Sequence, residues 1–142
     1  FISINGFLLP DYFAGEYIQF GRVRPTHVGT VLLLWLLSAN VGLLYFLVPR
    51  LCGVALWSTR MGIVSASLWW FFLILGTFSF PLGTNWGWEY AELPNWISFI
   101  PIKLGFLVAW VLLAINLFMT IANRRFEKMY VSLWYSMGTL IW

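Results

Sequence analysis

Apolar residues along the chain are gathered into three long segments with almost no charge, at roughly 27–49, 61–80 and 101–123. Each is close to the ~20 residues that an α-helix needs to cross the hydrocarbon core of a bilayer. Prolines follow the first and second segments, and Pro101 opens the third, where proline suits a first helical turn. The pattern predicts three transmembrane helices.

Shorter and more polar stretches surround these segments. Residues 1–26 are expected to form an outer loop, because proline, glycine and acidic residues interrupt their apolar runs. The stretch 81–96 is rich in Gly, Pro, Asn and Trp and predicts a second loop. Residues 129–142 are about six short of a crossing and predict the start of a fourth helix. We therefore expect an all-α polytopic bundle, with 1–142 a segment of one transmembrane domain of a larger protein, or one piece of a split subunit.

Composition agrees with a membrane protein and excludes several other classes. Hydrophobic residues make up 61% of the chain and charged residues 9%, and mean hydropathy is +0.85. The basic residues are spread over helix ends, which speaks against nucleic-acid binding. The single cysteine, Cys52, excludes an internal disulfide. Walker, G-x-S-x-G and H-E-x-x-H motifs are absent from the sequence, so nucleotide binding and hydrolysis have no support.

Charge also predicts orientation. Loops 50–60 and 123–128 would lie on one side and carry five basic residues, whereas the other side carries Arg22, Arg24 and Lys103. Cytoplasmic loops carry an excess of Lys and Arg, so the side with five is expected to be cytoplasmic. The chain's only histidine, His27, would then face outward, on the same side as the loop at 81–96.

His27 stands at the start of the first apolar segment, after two arginines. Its imidazole could ligate haem iron, or it could be an interfacial side chain that is only hydrogen-bonded. Arg22 and Arg24 could pair with haem propionates, or could anchor the helix at lipid headgroups. Glu89 and Glu92 are three residues apart and could bind calcium through carboxylate oxygens, or could be a solvated pair.

Three polar residues fall inside the apolar segments, and polar side chains there usually hydrogen-bond to neighbouring helices. We expect that role for Ser38, Asn40 and Asn116.

Three motifs carry a resemblance to a known family. FGRVRPTH at 20–27, followed at once by an apolar helix, resembles the start of the second membrane helix in the catalytic subunit of cbb3-type cytochrome c oxidases, which are C-family haem–copper oxidases. PLGTNWGWEYAELPNW at 81–96 is similar to the outer loop of that family. RRFEKMYVSLWY at 124–135 is similar to its basic loop and following helix.

The resemblance implies roles for particular residues. His27 would be one axial ligand of low-spin haem b, and Arg24 would contact the haem propionates, with Arg22 a possible second contact. Glu89 would take part in a calcium site next to the propionates, and Glu92 matches the motif by position only. The second axial ligand, the high-spin haem and the copper would be held by parts outside this chain, which therefore carries no catalytic residue of its own.

The resemblance also implies a function. Electrons from c-type cytochrome subunits would pass through haem b to a haem–copper centre, where oxygen is reduced and protons are pumped. The partners would be the remainder of the catalytic subunit or a complementary chain, the c-type subunits and the bilayer, here the bacterial inner membrane. Two alternatives stay open, namely a nitric oxide reductase-type subunit and a non-catalytic membrane scaffold subunit without haem.

Overall fold

The computed structural model describes residues 20–82, 96–97 and 100–141. Its longest element, α1, is a continuous helix with three segments: α-helical Phe20–Gly29, π-helical Thr30–Leu37 and α-helical Ser38–Cys52. This helix begins at Phe20 rather than at residue 27, and it ends at Cys52 rather than at 49. The two arginines that precede His27 are therefore helical and do not belong to a loop.

Both prolines near the expected ends of α1 are accommodated inside the helix. A proline lacks the N–H that would bond to the carbonyl four residues earlier, so the helix continues through Pro49 with one backbone hydrogen bond fewer. The helix stops instead at Gly53, whose φ of +66° is left-handed. The N–H groups of Gly53 and Val54 donate to the carbonyls of Arg50 and Pro49 at 3.2 Å each, which is a C-terminal cap.

Gly53→Ala is expected to destabilise the protein by about 1–2 kcal/mol, because a left-handed φ is costly for a residue with a Cβ. A Cβ at Gly53 would also lie 2.8 Å from Cε2 of Phe126, on the neighbouring loop. Gly138→Ala is the matched control, since a Cβ there meets nothing within 4 Å. Thermal unfolding in detergent should separate the two variants, and equal melting temperatures would contradict this prediction.

The remaining elements follow in simple order. Helix α2 spans Thr59–Phe78 and is capped by the side chain of Ser58, which accepts a hydrogen bond from the Met61 N–H at 3.2 Å. A 3-10 turn covers Phe80–Leu82. Two short antiparallel strands, β1 (Trp96–Ile97) and β2 (Ile100–Pro101), precede α3 (Ile102–Ala122) and α4 (Val131–Ile141).

Three helical stretches are long and apolar enough to cross a membrane, namely Gly21–Cys52, Thr59–Leu82 and Ile102–Ala122. Helix α4 is apolar but shorter. The predicted all-α membrane bundle with three spans is thus confirmed, although the first span starts earlier than the apolar pattern alone suggested. The short strand pair at Trp96–Pro101 was not expected from the sequence.

The core lies where α2 and α3 pack side by side and the C-terminal half of α1 closes over them. Trp69 of α2 is 1% exposed, and its ring lies 4.5 Å from that of Phe106 and 5.7 Å from that of Trp110. Its indole Nε1 donates to Ser38 Oγ at 3.0 Å, which ties α1 to α2. Gly105 lies directly against the ring of Phe72, so the two helices are in close contact there.

A second polar tie joins the α1–α2 loop to α3. Asn116 is fully buried; its Oδ1 accepts from the Ser58 N–H at 3.0 Å, and its Nδ2 donates to the Ser58 carbonyl at 2.9 Å. Thr120 Oγ1 accepts from the Trp57 N–H at 3.0 Å. The predicted hydrogen-bonding role is confirmed for Ser38 and Asn116, whereas Asn40 is exposed on α1.

Candidate functional site

His27 lies near the end of the first α-helical segment of α1, and its side chain is exposed. Pro25 and Gly29, two residues before and after it, are both buried. Successive residues of an α-helix are rotated by about 100°, so these two share one face and His27 points away from it. The helix therefore presents the imidazole on the side that its own neighbour α2 does not cover.

The buried face of this segment packs on the end of α2. A Cβ at Gly29 would lie 3.1 Å from Cε2 of Phe80 and 3.5 Å from Cγ2 of Thr77, and both of these residues are fully buried. Threonine hydroxyls on either side of His27 bond back to the helix: Thr26 Oγ1 donates to the Arg22 carbonyl at 2.8 Å, and Thr30 Oγ1 donates to the Thr26 carbonyl at 2.7 Å. The backbone that carries His27 is thus held by the close packing of Gly29.

The structure separates the two arginines before His27. Arg24 precedes the histidine by three residues, and this spacing places both side chains on one face of the helix. The Arg24 side chain is half-buried. Arg22 is turned toward α2, where its Nη1 donates to the Pro81 carbonyl at 3.1 Å. Arg24 is therefore the arginine placed beside His27, and Arg22 ties the start of α1 to the turn after α2.

The acidic loop residues predicted to bind calcium, Glu89 and Glu92, lie outside the described residues. The loop that contains them starts close to the candidate site, since Pro81 contacts Arg22 and the turn Phe80–Leu82 packs on the first segment of α1. Within the described ranges, no group of three or more His, Cys, Asp or Glu side chains could hold a metal ion. A metal at His27 would need ligands from a cofactor or from elsewhere.

The opposite end of the bundle carries the two other loops, and these contact each other. The Arg125 N–H donates to the Cys52 carbonyl at 2.9 Å, and a Cβ at Gly53 would lie 2.8 Å from Cε2 of Phe126. The predicted arrangement of loops 50–60 and 123–128 on one side of the protein is therefore what the structure shows.

Two features of the site could not be read from the sequence. The π-helical segment Thr30–Leu37 begins three residues after His27, and nothing in its apolar sequence marks it. π-Helical turns occur often at functional sites, and they change which residues of a helix share a face. The Arg22–Pro81 contact joins residues 59 positions apart, and only the tertiary fold brings them together. The one sequence signal nearby is the pair of threonines four residues apart, Thr26 and Thr30, which suits side-chain bonding to the helix backbone.

An imidazole and a guanidinium on the open side of a membrane helix can together bind a group that offers both a metal and carboxylates. The fold and this site define the class: an all-α, multispan integral membrane protein with a histidine in its first described span. Over residues 3–142 the chain matches the model of the family described as cytochrome c and quinol oxidase polypeptide I. The chain belongs to this oxidoreductase family.

Similar proteins carry names consistent with that membership. The chain is 31% identical, over 84% of its length, to the cbb3-type cytochrome c oxidase subunit CcoN1 of Stutzerimonas stutzeri. It is 30% identical over 91% of its length to cytochrome c oxidase subunit 1 of Rhodobacter capsulatus, and 27% identical over 93% to a subunit 1 homolog of Agrobacterium tumefaciens. The chain spans 24% of the length of each of these relatives. The predicted resemblance to subunit I is confirmed.

Proposed function

We propose that the chain is part of the catalytic subunit of a cbb3-type respiratory haem–copper oxidase and that it supplies one side of a low-spin haem b site. The observation that carries the proposal is the shared face of His27 and Arg24. Within the part of the chain that the structure describes, this face is directed away from the buried Pro25 and Gly29, and the His27 side chain is exposed on it.

These residues fit such a group. His27 would ligate the iron through an imidazole nitrogen, and Arg24 would neutralise the propionates through charge-assisted hydrogen bonds. Haem b, when bound, supplies one-electron transfer. The close packing of Gly29 against Phe80 would hold the part of the helix that carries the imidazole. One histidine is enough on this chain if the second axial ligand comes from elsewhere.

The proposed calcium site is assigned to the loop that starts next to the helix of His27. Glu89 would hold the ion beside the propionates, and Glu92 is a weaker candidate for a second ligand. The support is that the loop containing both residues starts at the Pro81 carbonyl, which accepts the hydrogen bond from Arg22 on the helix of His27.

The rest of the proposal concerns the whole complex. The site would face the outer side of the bacterial inner membrane, where c-type cytochrome subunits would deliver electrons. The high-spin haem and copper that reduce oxygen, with proton pumping, would be held by the remainder of the catalytic subunit or a complementary chain. The names of the similar proteins favour an oxidase over a nitric oxide reductase.

Optical and electron paramagnetic resonance spectra of the purified complex test this function. A low-spin bis-imidazole haem b signal is expected from the complex that contains this chain. A complex without any such signal would support the haem-free scaffold instead. Non-haem iron in place of copper next to the high-spin haem would favour the nitric oxide reductase alternative.

Arg24→Gln is expected to lower the midpoint potential of haem b by tens of millivolts, because removal of a positive charge near the haem favours the oxidised, more positive form. For one electron about 59 mV corresponds to a tenfold change in the equilibrium constant. Redox titration of the purified complex measures the shift. Arg22→Gln is the matched control: its guanidinium bonds to the Pro81 carbonyl, so it should change the potential less. Equal shifts in both variants would contradict the separate placement of the two arginines.

A further inference from the structure

A groove at the end of the bundle opposite His27 has features of a second binding site. It lies between the end of α3 and the start of α4 and has a volume of about 590 Å³. This is within the roughly 300–1,000 Å³ of typical ligand pockets. We call it the Arg124 groove; its apolar walls are formed by Phe118, Ile121, Met129, Trp134 and Met137.

Arg124 stands at the polar rim of this groove with much of its hydrogen-bonding capacity unused. Its Nη1 and Nη2 donate only at long range, to the carbonyls of Ile121 at 3.4 Å and Glu127 at 3.5 Å. Its Nε is buried, and within the described part of the chain it has no hydrogen-bond partner. A buried guanidinium N–H without a partner is costly, so an anion bound there would stabilise it.

The segment that contains Arg124 carries more cations than carboxylates. Arg124 and Glu127 line the groove, and the same segment, 123–128, also contains Arg125 and Lys128, which do not line it. The Glu127 side chain is exposed, and no ion pair joins it to Arg124 in the described structure. The cations thus exceed the carboxylate, and Arg124 is not neutralised by its nearest acidic neighbour.

The groove has a charged end and an apolar end, as a membrane lipid does. Its charged rim lies in the loop after α3, and its apolar walls continue along α3 and α4. Trp134 is 62% exposed, and tryptophan settles at the membrane interface. Basic pockets between transmembrane helices bind anionic lipid headgroups. We infer that the Arg124 groove binds an anionic phospholipid, with the phosphate on Arg124 and an acyl chain against Trp134 and Met137.

Fluorescence quenching by lipid tests this site in the complete complex. The complex is reconstituted into phosphatidylcholine vesicles that contain a small fraction of phosphatidylglycerol, with bromine on the acyl chains of one lipid or the other. The difference in quenching between the wild-type complex and the Trp134→Phe complex is the contribution of Trp134, and it reports lipid at the groove. Trp134 should be quenched preferentially by brominated phosphatidylglycerol, by about tenfold in relative affinity, as expected for a hydrogen bond to a charged group.

Arg124→Gln should remove this headgroup preference, and Arg124→Lys, which keeps the charge, should retain part of it. Arg60→Gln is the matched control, because Arg60 is exposed at the same end of the bundle and does not line the groove. The inference is overturned if wild-type Trp134 is quenched equally by both lipids. It is also overturned if neither lipid quenches Trp134, since protein would then cover the groove. An unchanged preference in Arg124→Gln would overturn it as well.

Discussion

Replacing His27 with alanine should abolish the low-spin haem b signal of the complex while leaving the helix in place. The side chain is exposed on α1, so its removal creates no cavity in the helix bundle. The packing of Gly29 on Phe80 and the hydroxyl bonds of Thr26 and Thr30 remain, so the backbone at this position should be unchanged. Loss of an axial nitrogen removes a strong iron ligand, and at least a tenfold loss of the low-spin signal is expected.

The measurement is the reduced-minus-oxidised spectrum of the purified complex, normalised to the amount of assembled protein. Added imidazole should restore part of the signal, because a free imidazole can replace the missing ligand. Leu43→Ala is the control, since it truncates another exposed side chain of α1 about 24 Å along the helix axis. Unchanged haem content in His27→Ala would refute the proposed ligand role.

Asn116→Leu is expected to cost roughly 2–4 kcal/mol of stability, among the largest effects of any single substitution in the described helices. Asn116 is fully buried, and its side-chain amide forms hydrogen bonds with both the N–H and the carbonyl of Ser58. A leucine of similar volume fills the space but leaves the Ser58 N–H without its partner, and the Ser58 carbonyl keeps only the bond from the Gly62 N–H at 3.0 Å. The start of α2 would then keep one polar tie to α3, the bond from the Trp57 N–H to Thr120 Oγ1.

Thermal or urea unfolding in detergent measures this loss. Asn123→Ala is the matched control, because Asn123 also lies at the end of α3 but is exposed and bonds only the Met119 carbonyl, at 2.8 Å. Its substitution should change stability by less than about 0.5 kcal/mol. Similar unfolding midpoints for the two variants would show that the Asn116–Ser58 pair contributes little to the fold.

The sequence was most informative where one physical requirement acts on many residues. A helix in hydrocarbon needs about 20 apolar residues, and this requirement made the three spans visible as uncharged segments. It was less informative at helix ends. Residues 20–26 are helical although arginines and a proline interrupt their apolar pattern, and a helix can continue through Pro49 until Gly53 supplies the left-handed residue that ends it.

At the candidate site, too, the sequence identified residue types, and the packing showed which way they face. The sequence marked His27, Arg22 and Arg24 as chemically suited to a haem, because imidazole and guanidinium groups are rare among so many apolar residues. It favoured Arg24 over Arg22 as the propionate contact, because Arg24 precedes His27 by three residues. Only packing shows that Arg22 faces α2 and Arg24 shares the open face with His27, because the burial of Pro25 and Gly29 sets the rotation of the helix.

By itself, the sequence determined that this is an all-α membrane protein with three spans, and it predicts a histidine at one membrane face. Those conclusions rest on hydrophobic length and residue type, which are local properties of the chain. The tertiary structure decided the face on which His27 lies, the contact of Arg22 with Pro81, and the groove at Arg124. These depend on which helices touch, and that is set by contacts between residues far apart in the sequence, such as Gly29 with Phe80 and Asn116 with Ser58.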